Sequence, residues 1–156
     1  MAFHLAQLNI GRVLHPLDHP QMKEFLDGLA PINAVADRSP GFVWRLQTGE
    51  GNATGVRHPW SEDPFMFVNM SIWETAEDLQ QFAFRSGHLE YLRKRAGWFE
   101  KMEQAHYVLW WVPAGHIPTL EEARERLDHY RVHGATPHAF WFRKLFPAPE
   151  VSAVPA

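Results

Sequence analysis

The sequence predicts an α+β fold in which helices pack on one face of a single antiparallel sheet. Stretches rich in β-branched and aromatic residues alternate with stretches whose apolar residues recur every three or four positions, a pattern typical of strands and helices in turn. The 156 residues suit one domain and are enough to build a hydrophobic core. We expect one domain over residues 1–146 and a flexible tail over residues 147–156.

The predicted strands lie at residues 3–11, 42–47, 65–73 and 106–112, and residues 140–142 form a last short strand or an aromatic plug. The third strand has one wholly apolar side, whereas its other side mixes Asn69 and Ser71 with large aromatic residues. The first strand places Gln7 and Asn9 on a similar face. If both faces border one cavity, they give an oily lining a few polar anchors, as in ligand pockets. Alternatively, these side chains bond the backbone at strand ends, and the sequence leaves both interpretations open.

Capping residues predict where the helices begin. Asp18 can cap a first helix, in which Pro31 predicts a kink or a break. Thr75 can cap a second helix, which should stop at a Ser-Gly pair. Thr119 and Glu122 have the spacing of a capping box at the start of the last helix.

The stretch from residue 88 to residue 102 predicts one helix with a histidine and an arginine in its apolar face. At about 100° per residue, one arc of this helix holds His88, Tyr91, Leu92, Arg95, Trp98, Phe99 and Met102. Burying His88 and Arg95 costs free energy unless partners satisfy them. They either point into a pocket between helix and sheet, or the histidine bonds a carbonyl in the core and the arginine pairs with a carboxylate or extends to water.

The first interpretation assigns chemical roles to these side chains. Histidine titrates near neutral pH, so His88 is the candidate general base or acid. Arg95 is the candidate for stabilising an oxyanion that develops during a reaction. Asn9 and Asn69 would orient a substrate. The side chains predicted to line the pocket are Trp73, Tyr91 and Trp98.

Composition excludes several classes of function. With no cysteine, the chain has no disulfide, no thiolate nucleophile and no cysteine-based zinc site. A net charge of −3 gives no footprint for nucleic acid, and no apolar run is long enough to span a membrane. The N-terminus lacks the features of a signal peptide, so we expect a cytoplasmic protein. His129 and His133 have metal-ligand spacing, but without an obvious acidic third ligand we predict no metal site.

The order of the predicted elements contains β-α-β-β-α-β, which is the ferredoxin-like arrangement of one antiparallel sheet with helices on one face. The second apolar face of the sheet would then stay exposed in a monomer. Two sheets packed face to face across a twofold axis would bury it. The sequence therefore predicts a homodimer in the form of a dimeric α/β barrel.

The stretches SPGFVWRLQ, NMSIWE, RSGH and VLWWVPAGH resemble the dimeric α/β-barrel superfamily, which includes antibiotic-biosynthesis-monooxygenase-like proteins, and within it a bacterial family of unknown function. This resemblance implies a pocket between helices and sheet. Some members oxidise aromatic polyketides without a cofactor. Others degrade haem with an asparagine on the first strand, a tryptophan ending the third strand and a histidine on the next helix, and Asn9, Trp73 and His88 occupy comparable places. The spacing of Trp73 and His88 departs from that pattern by an extra turn.

Three hypotheses follow from the residues and the resemblance together. In the first, the protein is a monooxygenase-like enzyme that acts on a small hydrophobic or aromatic molecule without a cofactor. In the second, it is a non-catalytic binding protein for haem or another hydrophobic ligand. In the third, it is a dimer without a ligand, whose aromatic residues all serve the core and the interface.

Overall fold

The computed structural model describes residues 2–47, 63–86 and 88–149. The elements in chain order are β1 (Phe3–Arg12), α1 (Lys23–Arg38), β2 (Phe42–Arg45), β3 (Met66–Trp73), α2 (Ala76–Arg85), α3 (His88–Arg93), β4 (Tyr107–Pro113) and α4 (Leu120–His133). Short 3-10 turns precede α1 and follow α3. The predicted flexible tail lies largely outside the described residues, as does most of the connection between β2 and β3.

The strands form one sheet in the order β2-β3-β1-β4, with every neighbouring pair antiparallel. This order and these directions confirm the predicted ferredoxin-like arrangement, because β1 and β3 lie in the centre of the sheet and β2 and β4 form its edges. The register across the central pair sets Gln7 opposite Ser71 and Asn9 opposite Asn69. Since side chains alternate along a strand, all four polar residues project from the same face.

The two faces of the sheet are both covered within one chain. On one face, α1, α2 and α3 pack against residues such as Leu5 and Trp73. On the other, α4 contributes Ala123 and Leu127 to a core that contains the apolar side of β3. The sheet residues of this second core are 0–5% exposed, namely Ala6, Leu8, Ile10, Val68, Met70, Ile72, Val108, Trp110 and Val112.

The expectation that helices cover only one face of the sheet is therefore corrected. The helix opened by Thr119 returns under the sheet and buries the face that was expected to stay exposed. Burial of that face within the chain already supplies its hydrophobic stabilisation, so a twofold partner is not needed for it. An exposed apolar sheet face therefore no longer supports a homodimer, and the homodimer stays a prediction.

Three local expectations about helices also need correction. The first helical turn is capped by His19, whose Nδ1 accepts from the amide of Gln21, and not by Asp18. α1 then continues through Pro31, which excludes the break but not the kink. Pro31 is exposed, so water can bond the carbonyl group that proline leaves free. The helix predicted over residues 88–102 ends instead at Arg93 and is followed by a 3-10 turn.

The early end of α3 changes where the following residues lie. After Trp98 the chain pairs with the end of β1, through a bridge between Val13 and Phe99 and a 2.8 Å hydrogen bond from the amide of Glu100 to the carbonyl of Arg12. Met102 therefore packs against the core under α4 and not on the apolar arc with His88. Pairing to β1 satisfies these backbone groups better than a continued helix containing a glycine would.

Other expectations about element ends are confirmed or refined. Thr75 caps α2 by accepting from the amide of Asp78 at 3.1 Å. Thr119 caps α4 in the same way, but the Glu122 carboxylate bonds Trp110 Nε1 at 2.9 Å and His116 Nε2 at 2.8 Å. Residues 140–142 form isolated bridges and no strand, so the plug is the better description. In the described segments, no helix has the length and apolar character that crossing a membrane requires.

Candidate functional site

A cavity of about 470 Å³ lies between the polar face of the sheet and the helices α1, α2 and α3. Its size and mixed lining are those of a small-molecule pocket. The predicted site residues all line it, namely Asn9, Asn69, Trp73, His88, Tyr91, Arg95 and Trp98. The structure therefore brings together side chains that are up to 89 positions apart in the sequence, from β1 to the turn after α3.

The floor of the cavity is a hydrogen-bond network between β1 and β3. Gln7 Nε2 donates to Asn69 Oδ1 at 2.7 Å and to Ser71 Oγ at 2.9 Å. Asn9 Nδ2 lies 3.3 Å from both Gln7 Oε1 and Asn69 Oδ1. Trp73 Nε1 donates to Ser71 Oγ at 2.9 Å. The side chains thus bond each other across the strands, which rules out the alternative that they bond the backbone at strand ends.

This network changes in burial along its length. Gln7 is 6% exposed, Ser71 8% and Trp73 1%, whereas Asn9 is half-buried and Asn69 is exposed. Buried polar groups are stable only when they are hydrogen-bonded, and the inner three satisfy one another. The two asparagines are therefore the members of the network that a ligand entering from solvent can reach.

One wall of the cavity is a continuous row of aromatic rings. Trp73 stacks on Phe82 with centroids 5.2 Å apart, and Phe82 lies 4.8 Å from the ring of His88. The row continues from His88 to Tyr91 at 6.5 Å and from Tyr91 to Trp98 at 4.9 Å. Such a row offers a flat or aromatic ligand many apolar contacts with few rotatable groups.

His88 opens α3, and its imidazole makes a single hydrogen bond to the described residues. Its Nδ1 lies 3.1 Å from the carbonyl oxygen of Ala83, which can only accept, so Nδ1 carries the hydrogen. Nε2 then bears the lone pair of the neutral ring and has no hydrogen-bond partner among the described residues. Burial lowers the pKa of His88, and the bond to Ala83 opposes this only in part. The imidazole is therefore a neutral base near neutral pH, with Nε2 as the available atom.

Arg95 lies in the 3-10 turn after α3 and has no carboxylate partner in the part of the chain that the structure describes. Its Cζ atom stands 5.1 Å from the centre of the Phe99 ring, a cation–π contact. Burial lowers the pKa of its guanidinium, and an arginine stays charged regardless. The described residues therefore give no support to the interpretation that Arg95 is paired with a core carboxylate.

Tyr91 contributes its ring to the cavity and not its hydroxyl group. The hydroxyl donates to the carbonyl oxygen of Phe25, and burial raises the pKa of the phenol. Tyr91 therefore stays protonated at neutral pH and is unsuited to act as a base. Its bond to α1 instead fixes the distance between α1 and α3, and so the width of the cavity.

Sequence reasoning missed several side chains of the cavity. Gln7 and Ser71 had been assigned to the polar face but not to the site, although the alternation of the strands was a signal for both. His106, just before β4, also lines the cavity. Burial and the neighbouring charge of Arg95 lower its pKa. No local pattern marks it. Arg45 lines the cavity as well, and its Nε pairs with Asp37 Oδ1 at 2.8 Å.

A second, more open cleft of about 680 Å³ lies beside the C-terminal end of α4. Arg131, Arg143 and Lys144 give it a positive lining, and Trp141 borders both this cleft and the cavity. Arg131 Nε is already bonded to the carbonyl oxygen of Ala105 at 2.7 Å. The cleft contains none of the predicted site residues.

His129 lies beside His133, with ring centroids 4.4 Å apart, but its possible co-ligands are two other residues. Ligand atoms of Glu125, His129 and His138 lie within 4.8 Å of one another, a grouping that could hold a metal ion. However, Arg126 Nη1 lies 2.9 Å from His138 Nδ1, which must therefore accept, so the hydrogen sits on Nε2 and is donated to Glu125 at 2.8 Å. The group thus links α4 to the segment after it, and His138 Nε2, which carries the hydrogen, has no lone pair to offer a metal.

The chain matches one family model and is similar to several solved structures. A family model described as a domain of unknown function, DUF3291, matches residues 4–156. A search of curated protein sequences finds no match. Among solved structures, the chain is similar to SnoaB, a cofactor-independent oxygenase from Streptomyces nogalater, with 17% identity, a TM-score of 0.48 and coverage of 76% of this chain and 100% of that chain.

Two further solved structures have comparable similarity. NE2512, a protein of unknown function from Nitrosomonas europaea, has 13% identity and a TM-score of 0.47 over 75% of this chain and 96% of that chain. A dabb family protein with a ferredoxin-like fold from Mesorhizobium loti has 14% identity and a TM-score of 0.44 over 74% of this chain and 100% of that chain. At these identities and TM-scores, the similarity assigns neither a superfamily nor an activity to this chain.

Proposed function

Because the chain belongs to the DUF3291 family, whose function is unknown, we propose from the site itself that the protein is an enzyme acting on a small, hydrophobic, aromatic molecule without a cofactor. The observation that carries the proposal is the state of His88. A neutral imidazole with its Nε2 unpartnered stands in the aromatic wall of a cavity whose floor is a network of amides.

The proposed chemistry begins with proton abstraction. His88 Nε2 takes a proton from an acidic O–H or C–H group of the bound molecule, and Nδ1 keeps its bond to Ala83 while the ring is charged. Arg95 stabilises the negative charge that this leaves on the substrate oxygen. Asn9 and Asn69 orient the substrate from the floor. Trp73, Tyr91 and Trp98 hold its apolar part.

Such a step explains why no cofactor is required. Removal of a proton from a phenol-like substrate gives an electron-rich anion with carbanion character, and this can transfer an electron to molecular oxygen directly. The protein then needs only to bind the substrate, to take the proton and to stabilise the anion. SnoaB is described as a cofactor-independent oxygenase, and the proposal assigns chemistry of the same class to this chain.

The test is oxygen uptake in the presence of electron-rich hydroxylated polycyclic aromatics, with His88→Gln as the decisive variant. Glutamine preserves a polar side chain of similar reach but cannot take up a proton. We expect the uptake rate to fall by about 100- to 10,000-fold, the range that a general base contributes. His15→Gln, outside the cavity, is the control. Unchanged uptake in His88→Gln would remove the acid-base role.

A second candidate function is the binding of haem, and the same unpartnered Nε2 favours it, because neutral imidazole nitrogen is a common ligand of haem iron. Asn9, Trp73 and His88 all line one cavity, as the haem-degrading members of the superfamily resemblance would require. The distinguishing measurement is a titration with haem. A Soret band that shifts in the wild-type protein and not in His88→Gln would support this candidate over the first.

We keep the homodimer as a proposal, supported now only by the superfamily resemblance. The sheet face that would have formed the interface is buried under α4. An interface would have to use another surface, for example one containing Phe84, which is 41% exposed and contacts Phe142 at the rim of the cavity. Light scattering on purified protein gives the mass in solution, and a monomer at micromolar concentration would refute it.

A further inference from the structure

The charge inside the cavity is opposite in sign to that of the whole protein. The chain has a net charge of −3, yet no aspartate or glutamate of the described residues lines the cavity. Apart from Arg95, the titratable side chains that line the cavity are His88, Tyr91, His106, Tyr107 and Arg45. Of these, only Arg45 is permanently charged. Arg45 is already neutralised by Asp37 at 2.8 Å.

Arg95 is therefore the charge in this cavity that has no counter-charge among the described residues. Its guanidinium stands over the face of Phe99, a contact that is weaker than a pair with an anion. A half-buried cation without a partner has lost part of its hydration and has not regained it from a carboxylate. The free-energy cost of partly desolvating this guanidinium has been met by folding, so an anion that enters meets a prepared partner.

We propose that the cavity binds its aromatic ligand as an oxyanion, a phenolate or an enolate, with the charged oxygen held by Arg95. This rests on the proposed function and deepens it, since it names the acidic class of substrate. Arg95 then does more than stabilise a charge that develops during a reaction, because the anion is the stable form of the ligand in the bound ground state. The proton leaves the ligand on binding, to His88 or to solvent, and no other bond changes.

The experiment uses 4-nitrophenol, whose absorption band reports directly whether the oxygen is protonated. Binding is measured at a pH at which most of the free probe is protonated. In the wild-type protein, we expect the bound probe to show the phenolate band. The reason is that a charged hydrogen bond to Arg95 lowers the pKa of the bound phenol by about one to two pH units. The ether 4-nitroanisole cannot ionise and should bind about 10- to 100-fold more weakly than the phenolate.

Two substitutions locate the anion. In Arg95→Met, a neutral side chain of similar length still covers Phe99, so the bound probe should stay protonated and should lose its advantage over the ether. Arg95→Lys retains the charge and should retain part of the phenolate band. Arg143→Met removes an arginine of the open cleft and should leave the band unchanged. Thermal melting checks that each variant is folded.

Several outcomes would overturn the proposal. These are a wild-type complex in which bound nitrophenol stays protonated, a phenolate band that persists in Arg95→Met, loss of the band in Arg143→Met, and absence of binding at millimolar probe. The enzymatic role fails separately. In His88→Gln the band should remain, because the acidic nitrophenol can release its proton to solvent and Arg95 holds the anion. Oxygen uptake with the less acidic polycyclic phenols should be lost, because their proton requires His88 as the acceptor. A band without uptake in the wild-type protein would leave an anion-binding site and no enzyme.

Discussion

The ring of Tyr91 lies directly on Gly28, so closely that a methyl group at position 28 would stand 2.5 Å from Cε2 of the ring. Tyr91 cannot move aside freely, because its hydroxyl bonds the Phe25 carbonyl and its ring packs against Trp98. This contact brings α1 and α3 together at one end of the cavity. It explains why a glycine occupies the middle of α1 despite its cost to the helix.

We therefore expect Gly28→Ala to destabilise the protein. Alanine in a helix gains up to about 1 kcal/mol over glycine, but displacing a packed ring costs about 1–3 kcal/mol, so the net change is a loss of about 1 kcal/mol. Urea denaturation measures it. Gly97→Ala is the matched control, because a methyl group added there would meet no heavy atom of the described residues within 4 Å, apart from its chain neighbours and the backbone of its own turn. Equal effects of the two substitutions would contradict the steric explanation.

Ser71 is the shared acceptor of the cavity floor, and its loss should be costly. Ser71→Ala leaves Trp73 Nε1 without a partner at 1% exposure and removes one of the two bonds of Gln7 Nε2. A buried donor left unsatisfied costs about 1–3 kcal/mol. Ser39→Ala removes a single 2.7 Å bond to the Val35 carbonyl from a half-buried site and should cost about 1 kcal/mol or less. A smaller effect at Ser71 than at Ser39 would refute the shared-acceptor role.

The pH dependence of activity should report the neutral form of His88. Burial lowers its pKa below the ordinary value of 6.5, so the base form persists into mildly acidic solution. The logarithm of kcat/KM should be level near neutral pH and decline on the acid side, with an apparent pKa below 6.5. A limb with an apparent pKa well above that value would show that another group controls the rate.

Stability should also fall in mildly acidic solution, for the same physical reason. The pKa values of His88 and His106 are lowered in the folded protein, mainly by burial. Below the unfolded-state value of 6.5 the unfolded chain therefore binds protons that the folded chain does not. The associated stability is complete above that pH and is lost as the pH falls through the folded pKa values.

The slope of the unfolding free energy against pH can be measured and assigned to particular histidines. Each of the two histidines contributes at most about 1.4 kcal/mol per pH unit to the fall in unfolding free energy. Asp63, whose pKa is lowered by Arg12, acts only at lower pH, so histidines dominate between about pH 6.5 and pH 5. His129, whose pKa is lowered by burial and by the neighbouring His133 and His138, adds to the slope over the same range. The double variant His88→Gln/His106→Gln should therefore reduce the slope without removing it. A slope as steep as that of the wild-type protein would contradict the assignment.

Zinc should not stabilise the protein through Glu125, His129 and His138. His138 would have to move its hydrogen to Nδ1, where Arg126 Nη1 stands at 2.9 Å. We expect the Tm with equimolar Zn²⁺ to equal that without it, in the wild-type protein and in Glu125→Gln. In Arg126→Met the obstacle is gone, and a zinc-dependent rise in Tm is expected there alone. A rise in the wild-type protein that Glu125→Gln abolishes would establish a metal site.

Local patterns in the sequence were enough to predict the strands of the cavity floor and the start of α2. The alternation along β3 placed Asn69, Ser71 and Trp73 on one face, and the Thr75 cap placed the start of α2. The arc that contains His88 and Arg95 was predicted from helical spacing, and both line the cavity although α3 ends between them. Near neighbours in sequence constrain one another through backbone geometry, which the sequence states directly.

Contacts distant in sequence could not be read in the same way. Nothing local indicates that His106 borders the cavity, that Tyr91 lies on Gly28, or that the chain leaves its helix after Arg93 to pair with β1. The last outcome depends on a competition between helical hydrogen bonds and a strand edge that is present only once the sheet has formed. Neither the residues after Arg93 nor those at the end of β1 have a local sequence pattern that predicts this pairing.

The sequence by itself determined the strands, the faces they present and the polar residues on them, because side-chain alternation and helical periodicity are properties of the backbone. The tertiary structure alone decided three things: that Gln7 meets Ser71, that α4 covers the second face of the sheet, and that Arg95 has no carboxylate beside it in the described part of the chain. Register, layering and charge pairing depend on which distant segments come into contact, and those contacts are selected by the packing of the whole domain.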